Sequence, residues 1–235
     1  MRVHRLARAA LLLALLAGCA GGTTRQVQQL RRDPGTQPVI VIMPIDVELA
    51  ELTVGGMPEP NAEWTEAAQA NIRAALERRA RTHNVRLVNF DSDRGTAEEQ
   101  EMGTELVALH RAVGMAALTH YFLSGQQLPS KDGRFDWSLG PSASAIARSQ
   151  QADYALFLFV RDSYASAGRV AVSAVLALMG ALVAPGGSQI GFASLVDLKT
   201  GDIVWFKWLQ RPAGDLRTAE AAQETVQALV SDSMK

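Results

Sequence analysis

The sequence predicts an α/β fold, a mixed β-sheet with helices packed on it, ending in a C-terminal antiparallel hairpin plus a closing helix. Three observations predict it. Two short runs, "PVIVIMPIDVEL" at 38–49 and "DYALFLFVRDSY" at 153–164, are rich in valine, isoleucine and phenylalanine and read as buried central strands. Between them lie stretches whose apolar residues return at helical spacing. Near the end, "QIGFASLVDLKTGDIVWFKWL" places two alternating runs, 189–198 and 203–209, around Lys199-Thr200-Gly201-Asp202, a short glycine-bearing hairpin signal.

The chain before this domain reads as an address. Met1 to Ala10 carries Arg2, Arg5 and Arg8 without an acid, and Leu11 to Ala17 is uncharged and leucine-rich. These are the basic and apolar regions of a secretory signal. The apolar part falls short of the roughly 20 residues a transmembrane helix needs. It leads into Leu16-Ala17-Gly18-Cys19, which holds the only cysteine of the chain and resembles the lipobox of bacterial lipoproteins. The resemblance implies a signal peptide over 1–18, diacylglyceryl attachment to the Cys19 thiol, and fatty acylation of the new amino terminus. It makes a membrane the first partner, reached through that anchor. Ala20 stands where an aspartate would imply inner-membrane retention, so the family's sorting rule points to the outer membrane with the domain facing the periplasm. Residues 19–37 are polar, with Gly21-Gly22-Thr23-Thr24 and Asp33-Pro34-Gly35, and read as a flexible tether. A single domain over 38–235 follows.

Its elements come in order. The run at 38–49 is the first strand. After the loop Gly55 to Pro60, Asn61 caps a helix over Trp64 to Arg81, with Trp64, Ala67, Ala68, Ile72, Ala75 and Leu76 on one face. "VRLVNF" at 85–90 is the next strand. Thr96 to Leu123 is helical, with Met102, Leu106, Leu109, Val113, Ala116 and Ala117 at helical intervals. "SASAIARSQQA" at 142–152 makes a short helix before the central strand. In the hairpin, Trp205 and Leu209 share one face and Phe206 and Trp208 the other. Thr218 to Met234 supplies the closing amphipathic helix.

Two segments carry a choice. The loop Ser124 to Gly140 sets Phe135 and Trp137 among Lys131, Asp132, Arg134 and Asp136. Large aromatics in a polar loop make either a partner-binding tip or a plug folded back on the core. The second is an apolar insertion at 170–184, between the central strand and the hairpin and without a charge. It reads as a helix buried against its own domain or a second subunit, as a contact with the membrane surface, or as a pore-lining insertion. The expectation is packing on protein through Ser173, Ala177, Gly180, Ala181 and Ala184, because the segment is short for a bilayer span.

The opening strand "VIVIMPI", the Ala152-Asp153-Tyr154 entry to the central strand, and Asp197, Thr200, Gly201 and Trp205 in the hairpin resemble the TolB amino-terminal or CsgG-like group of periplasmic lipoprotein domains. The likeness runs over about 38–232. These motifs mark a strand start and a hairpin and bring no active site with them. The group implies non-catalytic work: assembling secretion channels, activating cell-wall synthases, or supporting envelope complexes. A CsgG-like channel subunit, and hence a homo-oligomer, stays open as an alternative, although a channel of that type crosses the membrane by alternating strands that are absent at 170–184.

Composition narrows the classes further. The formal charge is −1, and removal of 1–18 takes away three arginines and no acid, so no basic face for nucleic acid emerges. With Cys19 lipidated, no disulfide or thiolate metal site remains. His83, His110 and His120 lack the spacing of a zinc helix and read as surface or loop residues. The chain has no nucleophile elbow, Walker loop or dinucleotide fingerprint. Asp46, Glu48, Asp91, Asp93, Asp136, Asp153, Asp162 and Asp197 are candidate acids, and no spacing marks a pair among them. The expectation is therefore a protein without catalytic residues or cofactor, binding an envelope protein whose identity the sequence does not name. A lipid-anchored hydrolase is the remaining enzyme alternative.

Overall fold

In a computed structural model, the described residues are 21–26, 37–82, 85–179, 187–212, 215–231 and 233. They run β1 (Gly21–Gln26), β2 (Val39–Ile42), β3 (Asp46–Leu52), β4 (Pro58–Pro60), α1 (Ala62–Ala80), β5 (Arg86–Asn89) and α2 (Ala97–Ala117). After α2 come α3 (Ser144–Gln150), β6 (Tyr154–Ala165), α4 (Ala167–Leu178), β7 (Gly187–Asp197), β8 (Ile203–Arg211) and α5 (Ala219–Val230). The strands form one open mixed sheet in the order β1-β8-β7-β6-β2-β5, with β3 on β6 and β4 on β3. The expected α/β architecture, hairpin and closing helix are all present.

The opening apolar run is two strands rather than one. Pro44 has no N–H to give a ladder, so the chain steps off β6 there and returns to it. β2 runs parallel to Tyr154–Leu156 and β3 parallel to Phe159–Ala165, both against the twelve residues of β6. The parallel links β2–β5 and β2–β6 need crossovers, which α1 and α2 provide. β6, β7 and β8 then pair antiparallel.

Both faces of β6 are covered, which is why its sequence is apolar without alternation. On one face Tyr154, Leu156, Leu158 and Val160 meet Ile72 and Leu76 of α1 and Val226 and Leu229 of α5. On the other, Ala155, Phe157 and Phe159 meet Leu106 of α2, Ile146 of α3 and Phe192 of β7. The hairpin divides as its alternation predicts: Trp205 and Leu209 lie in the first layer, Phe206 and Trp208 in the second. A register shift at Leu195/Val196 takes up Val204 as an extra residue. The turn closes on Gly201, at φ +82°, where a Cβ would stand 2.0 Å from the Gly140 carbonyl oxygen.

Of the residues read as a flexible tether, 19, 20 and 27–36 lie outside the described residues. Gly21–Gln26 is an edge strand, antiparallel to β8 from Gly21↔Gln210 to Gln26↔Trp205. Cys19 and the signal residues lie outside the described residues.

Candidate functional site at one end of the sheet

Strand pairings bring several chain segments to a single end of the sheet. There β6 finishes at Ala165 opposite Leu52, the last residue of β3. β7 begins at Gly187 opposite Tyr164. β8 finishes at Arg211 opposite Gln189, and Gly21, the first residue of β1, pairs with Gln210. The α4 helix leaves β6 at this end. Ser166 caps it, accepting from the Arg169 N–H at 3.2 Å, and the Ser166 N–H donates to the Leu52 carbonyl at 3.0 Å.

α4 is not covered by its own domain, one of the two packings its sequence leaves open. None of its residues is buried, and only Arg169 and Ser173, four apart on one face, are half-covered. Ala177, expected in the contact, is exposed; Gly180, Ala181 and Ala184 lie outside the described residues. The reason is geometric. Both sheet faces are already occupied, by α1 with α5 and by α2 with α3, so a helix inserted at the sheet's end finds no apolar face of its own domain to cover it. Among the described residues it lies against the β3–β4 turn, where Arg169 Nη1 donates to the Val54 carbonyl at 3.5 Å and a Cβ on Gly168 would meet Val54 Cγ2 at 3.0 Å.

Beneath this end runs a buried polar row. Asp162, Gln189 and Arg211 lie side by side on β6, β7 and β8. Asp162 Oδ2 accepts from the Tyr164 hydroxyl, from Gln189 Nε2 at 2.8 Å and from the Leu216 N–H at 3.3 Å. Gln189 Oε1 accepts from Arg211 Nε at 2.8 Å and from Thr225 Oγ1 at 3.1 Å, so the amide relays between acid and base. Burial pushes the Asp162 carboxyl up, opposed by the hydrogen bonds from Tyr164, Gln189 and Leu216. Burial also raises the Tyr164 hydroxyl, with the hydrogen bond to Asp162 acting in the same direction. The row ties three strands to α5 and the chain before it.

A second polar group joins β3 to α2 and β6. Asp46 pairs with Arg111 Nε at 2.6 Å and with Arg161 Nη2 at 2.8 Å, and the Arg161 guanidinium lies 4.2 Å from the centre of the Phe159 ring. His110 is a correction. The sequence places it on a surface or loop, whereas it is 1% exposed on the inner face of α2. Its ring stacks on Phe157 at 4.8 Å, and its Nε2 hydrogen bonds Ser194 Oγ at 2.8 Å. Burial pulls the imidazole down to about 3, against the opposing pull of Asp46. A serine bonded to a histidine resembles a nucleophile with its base, but both are sealed between α2 and the sheet, where a substrate has no approach. Among the described residues, no group of three His, Cys, Asp or Glu side chains could hold a metal ion.

Phe135 turns inward: it is 7% exposed and packs with Tyr121, Phe122 and Phe206 at ring distances of 5.1, 6.4 and 5.6 Å. Trp137 is half-buried beneath Lys131 Nζ, 4.6 Å from the ring centre, and its carbonyl accepts from the Ile203 N–H. The 124–140 loop thus lies over the edge of the second core layer. Of the other candidate acids, Asp153 Oδ2 accepts from the Val39 N–H at 2.8 Å, and Asp136 pairs with Lys131 at 2.9 Å. The pairings scatter these carboxylates over different parts of the sheet.

No family model and no curated protein matches the chain. Among solved structures it is similar to PelC dodecamers from Paraburkholderia phytofirmans. A point variant of PelC is 15% identical with a TM-score of 0.41, over 90% of this chain and 96% of that one. A second crystal form is 14% identical with a TM-score of 0.38 over the same shares. The C-terminal domain of LpoB from Salmonella enterica is 18% identical with a TM-score of 0.27, over 75% of this chain and 85% of that one.

Proposed function

We propose that this chain is a lipid-anchored, non-catalytic binding and assembly factor of the bacterial envelope, held at the periplasmic face of the outer membrane through acylated Cys19. One observation carries the reading: β1 begins only two residues after Cys19 and is paired into the sheet along its whole length. An anchor at that place holds the domain directly against the lipid surface, in one orientation, instead of on a long leash. A fixed orientation suits a protein that presents a surface to a partner in an envelope complex. The buried placement of Asp162 and of the His110–Ser194 pair supports structural roles for the groups that would otherwise suggest chemistry.

The test is acylation in cells. Wild-type protein should take up a fatty-acid probe and sediment with outer membranes, and Cys19→Ser should lose both properties. Crosslinking in intact cells should then capture an envelope protein with the wild type. A Cys19→Ser protein that still carries label, or a purified chain that turns over a substrate, sinks the proposal.

A further inference from the structure

Among the described residues, eleven large apolar side chains stand exposed, and eight of them gather at the end of the sheet described above. Val54 and Met57 belong to the β3–β4 turn; five others lie on α4 between Val170 and Leu178 and the sixth, Met179, caps its end, with Leu178 and Met179 exposed by 88% and 78%. A patch of this kind on a folded chain marks a contact site. The helix has no polar face: from 170 to 179 its one polar residue is Ser173, which is half-covered. A surface helix in water ordinarily keeps a charged side outward, so this one is built to be covered.

What covers it follows from where the chain leads. Cys19 stands two residues before Gly21, and two residues span at most about 7 Å. Gly21 pairs with Gln210, at the same end of the sheet as the strand ends from which α4 departs and to which it returns, two strands from β7 and three from β6. The strand that follows Cys19 in the chain therefore starts at the end of the sheet from which the apolar helix leaves. We infer that α4 and the β3–β4 turn dock into the phospholipid leaflet that holds the Cys19 acyl chains, lying at its surface without crossing it. α4 has 12 residues, about 18 Å of helix, against a hydrocarbon core of about 30 Å, and no described helix is long and apolar enough to span. Apolar burial drives this docking: among the described residues the charges flanking the patch on its own elements are Glu51, Glu59 and Arg169, and Arg211 at the end of β8 is engaged by Gln189 and Thr225. The inference rests on the anchor reading of Cys19 for the choice of lipid over protein.

The experiment exploits the single cysteine. In the mature chain, residues 19–235 with Cys19→Ser, a lone Val175→Cys carries a polarity-sensitive fluorophore. Neutral phosphatidylcholine vesicles should shift its emission to the blue and float the protein, with little response to salt. The same label at exposed Glu105→Cys on α2 should stay in a watery environment. Val172→Glu with Leu176→Glu should lower the floated fraction by roughly tenfold or more while leaving the melting temperature in place, since neither side chain is buried in the domain. No shift with vesicles overturns the inference. A blue shift that appears without vesicles and grows with protein concentration, alongside a rise in molecular mass, also overturns it and assigns the helix to a second copy. Fatty-acid labelling of the wild type reads the anchor separately, so a failed anchor with intact vesicle docking is distinguishable from a failed helix.

Discussion

At the scale of single residues, burial decides what a side chain is. His110 is a basic residue by type and a core residue by position, between Phe157, Phe192 and the hydroxyl of Ser194. Free imidazole titrates near 6.5, and burial holds this one down to about 3. Between those values the unfolded chain binds more protons than the folded one. Stability should therefore fall as pH drops from about 6.5 toward 3, by up to roughly 1 kcal/mol per pH unit, with no further contribution above about pH 7. Carboxylates add slopes of their own, so the measurement is a difference. Urea unfolding of wild type and of His110→Leu with Ser194→Ala, followed across that range, should diverge by this slope. Parallel curves would clear His110 of the effect.

Elements were legible wherever their own residues state their period. The cap at Asn61 and the turn at Gly201 follow from local chemistry. The face that α2 buries did not follow. Apolar spacing favours Leu106, Leu109 and Val113, yet the buried stripe is Gly103, Leu106, His110, Gly114 and Ala117, and Leu109 is 39% exposed. Glycine lets backbones and rings approach closely: a Cβ on Gly114 would come within 2.1 Å of the Phe192 ring, and one on Gly103 within 2.5 Å of Phe90. A count of hydrophobic residues is blind to contacts made by what is missing. The 124–140 loop shows the converse, a polar stretch whose aromatic faces the core. Phe135→Ala should cost about 3–5 kcal/mol, read by urea or thermal unfolding, and half-buried Trp137→Ala should cost less. A Phe135→Ala protein of unchanged stability that loses its crosslinked partner would restore the binding-tip reading.

At the scale of the whole molecule, the sheet is saturated and α4 is an appendage. Tyr164 and Gly187 already face each other across the β6–β7 pair, so the segment between them can be replaced by a tight turn. Excising 166–186 and joining the strands through Asn-Gly, which favours hairpin geometry, should leave the melting temperature within a few degrees of wild type. The same protein should no longer bind vesicles. A large loss of stability would mean that α4 supports the fold after all, through contacts that its exposed surface does not display.

The sequence by itself determined the class of fold, the order of its main helices and central strands, the division of the hairpin between two layers, and the local chemistry of caps and turns. All of these are carried by residues close in the chain, through propensity, period and patterning. The tertiary structure alone decided the break at Pro44, the burial of His110, the pairing of Asp162 with Gln189 and Arg211, and the exposure of α4. Each depends on which surfaces remain free after the sheet assembles. An apolar helix records in its sequence that it needs cover; only the packed sheet, with both faces taken and its first strand beginning beside Cys19, shows that its own domain does not provide it.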